Sequence, residues 1–151
     1  MMFLLGMIIF VGMIVMAMMM SGEMMMFVNL PSLIVVIPPA LMFTLTSSSK
    51  QSRSHAVKLL FNESLHLNSA ELIAAKHVFT TFGNLNILMG FIGVIIGAIA
   101  MGNTLYGENI SQIFGSALAV CVLPFFYALL IKVLCSAAEA KIQFKIINLA
   151  S

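Results

Sequence analysis

Apolar positions in this chain form unbroken runs instead of alternating with polar ones. Residues 1–20 are apolar except for Gly6 and Gly12, and residues 24–46 carry no charge and only a few weakly polar groups. Residues 79–101 and 110–131 repeat the pattern. A helix needs about 20 apolar residues to cross the hydrocarbon core of a bilayer, so each run is long enough. The pattern predicts an all-α integral membrane protein, one domain over residues 1–151 with four transmembrane helices. The first run lacks a basic leading segment and a small-x-small cleavage site before Glu23, so it is expected to be a retained helix and not a secretory signal.

Composition strengthens this reading. Hydrophobic residues make up 62% of the 151 residues and charged ones 8%, with a mean hydropathy of +1.13. A soluble surface needs about 25–35% charged residues. The net charge of +2 is too small for a nucleic-acid binder. The basic residues are segregated: Lys50, Arg53, Lys58 and Lys76 lie between the second and third runs, and Lys132, Lys141 and Lys145 at or beyond the end of the fourth. The short connections around 21–23 and 102–109 carry only Glu23 and Glu108. By the positive-inside rule both termini and the middle loop face the cytoplasm.

That middle loop, about residues 47–78, is the only sizeable polar region. Ser47, Ser48 and Ser49, followed by Lys50 and Arg53, read as a flexible stretch at the membrane surface. Asn68 and Glu71 have the spacing of a capping box. A helix starting there meets no breaker before Met101; from Ser69 it would measure roughly 50 Å and project two turns into the cytoplasm. Asn62-Glu63-Ser64 and Asn109-Ile110-Ser111 match a glycosylation sequon by chance alone.

Catalytic signatures are absent. His55, His66 and His77 are spaced by eleven and fit no metal pattern. Cys121 and Cys135 would stand roughly 21 Å apart on one helix, too far to bridge. With no Ser/His/Asp set, phosphate loop or dinucleotide fingerprint, neither an enzyme nor a cofactor is expected. Small residues instead recur in packing patterns. Gly93 and Gly97 form a GxxxG step, Gly83, Gly90 and Gly97 recur every seven residues, and Gly115 with Ala119 gives a small-xxx-small step.

The segment FVNLPSLIVVIPPAL, Phe27 to Leu41, resembles the second-span signature of the MotA family of flagellar stator subunits, in which an acidic residue often stands at the position of Asn29. GFIGVIIGAIAM, Gly90 to Met101, is similar to that family's third span, and FGSALAVCVLPFFYALL, Phe114 to Leu130, to its fourth. AEAK, Ala138 to Lys141, resembles the charged segment that follows. The wider group is the MotA/TolQ/ExbB proton-channel family, and four spans favour its MotA side. The resemblance implies a bacterial inner-membrane protein that forms a homo-oligomeric ring, typically a pentamer. The ring would surround helices of a single-span MotB-, TolR- or ExbD-like partner that supplies a membrane aspartate. The third and fourth spans would line the centre and the first two the lipid-facing wall.

Thr80, Asn84, Ile87, Phe91, Val94 and Ala98 share one helical face by three- and four-residue steps; Ala117, Cys121, Pro124 and Ala128 form a comparable stripe on the fourth span. The ion-pathway candidates are Thr80, Asn84, Ile87, Val94, Cys121, Pro124 and Phe125, while Asn86 points elsewhere and is expected to bond between helices. The chain departs from the family pattern at Ile87 (often proline), Val94 (a hydroxyl), Pro124-Phe125 (a threonine-rich step) and Pro38-Pro39 (two glycines), and its middle loop is far shorter. Two readings follow: a subunit of an ion-motive-force-driven stator, proton or sodium, or a non-conducting structural or assembly protein built on the same helices.

Overall fold

The computed structural model describes residues 2–22, 24–62, 65, 67–104 and 110–150. Glu23, Glu63, Ser64, His66, Glu108 and Asn109, which entered the loop, sequon and histidine readings, lie outside the described residues. The described chain is helical: α1 (Met2–Met20), a 3-10 turn (Met24–Phe27), α2 (Leu30–Ser47), α3 (Lys50–Phe61), α4 (Ser69–Thr104) and α5 (Ile110–Ala150). Four helical segments are long and apolar enough to cross a membrane, which makes this a multi-pass membrane protein.

Local chemistry sets the helix boundaries. After α1 the chain reverses at Gly22, whose φ of 138° an L side chain rarely tolerates. Asn29 caps α2, its Oδ1 accepting from Ser32 N–H at 3.0 Å and Ser32 Oγ at 2.8 Å, and Pro31 occupies the first turn, where a missing N–H is harmless. The helix continues through Pro38 and Pro39. At its far end Ser48 Oγ donates to Thr44 O at 2.6 Å.

The serine stretch expected to be flexible is instead a tight corner. Ser49 caps α3, accepting from Ser52 N–H at 3.0 Å. From the first turn of α3, Arg53 donates to the carbonyls of Leu45 and Ser48. A guanidinium on the carbonyl end of a helix satisfies orphan acceptors and complements the dipole.

The capping box at α4 forms as its spacing predicts: Glu71 N–H donates to Asn68 Oδ1 at 2.8 Å, and Asn68 N–H donates to Glu71 Oε2 at 3.1 Å. With 36 residues α4 measures about 54 Å. Helix α5 does not end with the apolar run at Ile131 but continues to Ala150, 41 residues in all, because no breaker follows Pro124.

The two long helices form an antiparallel pair, the most extensive contact in the chain. Gly97 lies against Cys121, Gly90 against Ala128 and Gly83 against Cys135, so two seven-residue repeats of small residues face each other in one register. Lys76 donates to Gln143 at 2.9 Å in the same register, nearer the charged end. There α3 covers the pair, burying Ala56, Leu59, Leu72, Ala75 and Ile142 together. Helix α2 packs along α4 through Ser32, Val36, Ala40 and Thr44, which recur every four residues. Helix α1 stands outermost, with no buried residue over Phe3–Met20. Lys141 Nζ lies 4.8 Å over the Phe3 ring at one end of a groove between α1 and α5.

The glycines differ sharply in the space beside them. A Cβ on Gly90 would stand 2.5 Å from Ala128 Cβ and one on Gly93 2.5 Å from Pro124 Cβ, whereas Gly115 has nothing within 4 Å. Gly90→Leu is therefore expected to destabilise the folded chain by about 1–3 kcal/mol through overpacking, and Gly115→Ala to leave it unchanged. Unfolding in mixed detergent micelles measures both.

Candidate functional site

The α4–α5 seam has two sides, and among the described residues the other elements cover only one. On the covered side Val35 of α2 reaches Gly93, and the start of α2 is tied to Tyr127 of α5. Asn29 N–H donates to Tyr127 Oη at 2.9 Å, and the Tyr127 hydroxyl donates to Phe27 O. At 100° per residue, Thr80, Ile87, Phe91, Val94 and Ala98 flank the glycine stripe on the side opposite Gly93. On that other side Phe91 packs against Phe125, ring centroids 4.7 Å apart, and Asn84 Oδ1 accepts from Lys132 Nζ at 2.9 Å.

The expected pathway residues separate into two groups. Thr80, Ile87, Val94 and Phe125 are half-buried along the uncovered edge, and Asn84 is exposed on it. Cys121 and Pro124 are not on that edge. Both are buried in the seam, Pro124 against Gly90 and Gly93, Cys121 against Gly97 with its thiol donating to Val94 O at 3.3 Å. Their small or ring-closed side chains let the backbones approach, so they act as packing groups. Gly83, Gly90, Gly93 and Gly97 meet α5 of the same chain, so the packing their spacing predicts is found between α4 and α5. Ala119 is exposed, and Gly115 packs on nothing.

Asn86 was expected to bond between helices. It is fully buried, but its Nδ2 donates to Phe82 O of its own helix at 2.8 Å and its Oδ1 has no hydrogen-bond partner. Such an orphan is uncommon in a packed interior.

Three polar residues were missed by sequence reasoning. Tyr127 was hidden in an apolar run, and its ties to Asn29 and Phe27 span about a hundred positions. Lys132 and Glu139 continue the seven-residue series from Phe125. Lys132 Nζ lies 3.5 Å from Glu139 Oε1, with side-chain exposures of 27% and 19%. Gly83 makes room for this lysine: a Cβ there would stand 2.9 Å from Lys132 Cδ. The uncovered edge is thus apolar from Ala98 to Ile87 and polar below, where Asn84, Lys132 and Glu139 meet. Thr80 Oγ1 donates to Lys76 O at 3.2 Å at the same end.

Among the described residues no group of three or more His, Cys, Asp or Glu side chains could hold a metal ion. Neither the known protein-family models nor the curated proteins give a match to this chain.

Tyr127→Phe removes both hydrogen bonds at the start of α2. We expect a loss of about 1–2 kcal/mol, and a loss of about 1 kcal/mol for Asn29→Ala through the cap. The double variant should lose less than the sum, because both groups hold one junction. Equilibrium unfolding of the four proteins measures the coupling.

Proposed function

We propose that this chain is the ring-forming subunit of an ion-motive-force-driven energy-transducing complex of the MotA-like kind, seated in a bacterial inner membrane. The observation that carries the reading is the one-sided covering of the α4–α5 seam. Helices α1 and α2 shield one side as an outer wall would, and the edge left open bears Thr80, Asn84, Ile87, Phe91, Val94 and Ala98, the face assigned to the ion path. Copies arranged in a ring, five by the resemblance, would turn this edge toward single-span partner helices. The partner would supply the titrating carboxylate, because this chain has no Asp and its apolar runs carry no charge.

The segregation of the basic residues supports an orientation with both termini, α3 and the first turns of α4 in the cytoplasm. After Cys121 and Cys135 are replaced, an impermeant thiol reagent applied to intact cells should label a cysteine at Gly102 and spare one at Ser52. The reverse pattern inverts the topology.

A second reading, a non-conducting assembly protein on the same helices, draws on the apolar middle of the open edge. Ile87, Val94 and the Phe91–Phe125 pair offer no hydroxyl, and a narrow apolar constriction sheds water and resists ions. The subunit alone should therefore be closed, and flux through the complex low. Val94→Thr should raise that flux, since a hydroxyl there can replace part of an ion's hydration. Vesicles holding the subunit alone and the complex captured with it measure both. High flux from the subunit alone sinks the constriction argument, and no flux under any condition favours the assembly reading.

A further inference from the structure

We propose that the groove between α1 and α5 is a binding site for one anionic phospholipid: an acyl chain fills the groove, and the phosphate sits at Lys141. Such a site needs only that both helices lie in a bilayer, so it goes beyond the ion-driven reading and does not depend on it.

The shape of the groove selects a chain and not a helix. Helix α1 does not pack closely on α5, and no residue over Phe3–Met20 is buried. The two helices instead border a hollow of about 330 Å³, lined from Phe3 to Phe10 on α1 and from Val133 to Ala137 on α5, with every lining side chain apolar. Left empty, such walls forfeit dispersion contacts along their whole length, and water finds no partner there. Gly6 keeps the hollow open, since a Cβ on it would meet nothing within 4 Å. At one end the Lys141 ammonium lies 4.8 Å from the centre of the Phe3 ring. That contact holds α1 within one side chain's reach of α5. A helix about 10–12 Å across cannot come between them, whereas a flexible acyl chain can.

The charge at that end selects the head group. Phe3 opens the apolar run of α1, so Lys141 stands level with the margin of the bilayer. Lys141 Nζ donates to Leu60 O of α3 at 3.1 Å, and an ammonium has three N–H donors, enough to hold that carbonyl and a phosphate oxygen together. Two further cations lie on the same elements: Lys145 one turn on along α5, and exposed Lys58 two residues before Leu60. The described carboxylates are engaged elsewhere, Glu71 in the cap of α4 and Glu139 with Lys132. A basic cluster over an apolar cleft between membrane helices is the arrangement that takes an anionic lipid. A second hollow of about 340 Å³ lies between Phe27 and α5 at the other end of the bundle, and no charged side chain lines it. It serves as an internal control, because it has room for a chain and no cation for a phosphate.

The test uses the tagged chain, purified with whatever accompanies it, in phosphatidylcholine nanodiscs. Each disc carries a trace of phosphatidylglycerol or phosphatidylcholine with a photoreactive diazirine midway along one acyl chain. Crosslinked peptides are mapped by mass spectrometry. Phosphatidylglycerol should label Val133–Ala137 at least about fivefold more than phosphatidylcholine, roughly the worth of one surface lysine. At Ala119–Phe126 the two probes should label equally. Lys141→Gln should abolish the preference and leave the phosphatidylcholine label at Val133–Ala137, while Lys141→Arg keeps it. Gly6→Leu, which enters open space and so leaves the fold intact, should remove the label at Val133–Ala137 with both probes. Circular dichroism checks that each variant folds, and Gly6→Leu carries the test if Lys141→Gln does not. Equal labelling by the two probes in wild type overturns the site. So does an unchanged label in Gly6→Leu, or no label at Val133–Ala137 in wild type, as when a second copy or a partner helix covers the groove.

Discussion

Everything else in this chain is arranged around how closely α4 and α5 approach. In a bilayer the lipid tails are as apolar as leucine, so burial from water does not hold two helices together; close backbone contact does. Gly83, Gly90 and Gly97 facing Cys135, Ala128 and Cys121 permit that contact over four turns. Pro124 fits the same logic, since its ring lies in the hollow left by Gly93. Once this pair is fixed, α2 has a groove to occupy against α4, and α3 can close the charged end over Leu72, Ala75 and Ile142.

The polar contacts then decide which side of the pair is covered. Tyr127 reaches away from the seam and fastens the 3-10 turn and the start of α2 to α5. Arg53 pins the other end of α2 to α3. With both its ends held on one flank, α2 cannot shield the opposite one. That flank keeps Phe91 packed at a tilt against Phe125 and Asn84 bonded to Lys132, two contacts across the mouth of the seam with no third described helix over them.

Much of this was legible in the residues, because lipid imposes simple rules. The four apolar runs, the Asn68–Glu71 cap and the glycine repeat each follow from one local requirement, and each is found where that requirement puts it. The failures share a different cause. The corner at Ser47–Arg53 depends on a guanidinium meeting carbonyls of the preceding helix, which serine-rich composition does not reveal. Cys121 and Pro124 were read by analogy as path residues. The repeat Cys121-Ala128-Cys135, matching Gly83-Gly90-Gly97 step for step, was the signal that they pack. Lys132 was counted only as a topogenic charge, and nothing local to it points to Gly83 and Asn84 some fifty positions away.

The tightness of the seam also constrains where any path could run. The Cys121 thiol bonded to Val94 O, and the contacts that Gly90 and Gly93 make with Ala128 and Pro124, leave no passage between α4 and α5 of one chain. On the proposed ion-driven reading, any path would therefore run along the uncovered edge of this chain and not through the seam. The edge is apolar where the seam is tightest, and its polar groups gather at one end. On that reading the chain by itself is a closed wall with a polar threshold, and the groups that would hydrate the middle would have to come from whatever packed against Phe91, Val94 and Phe125.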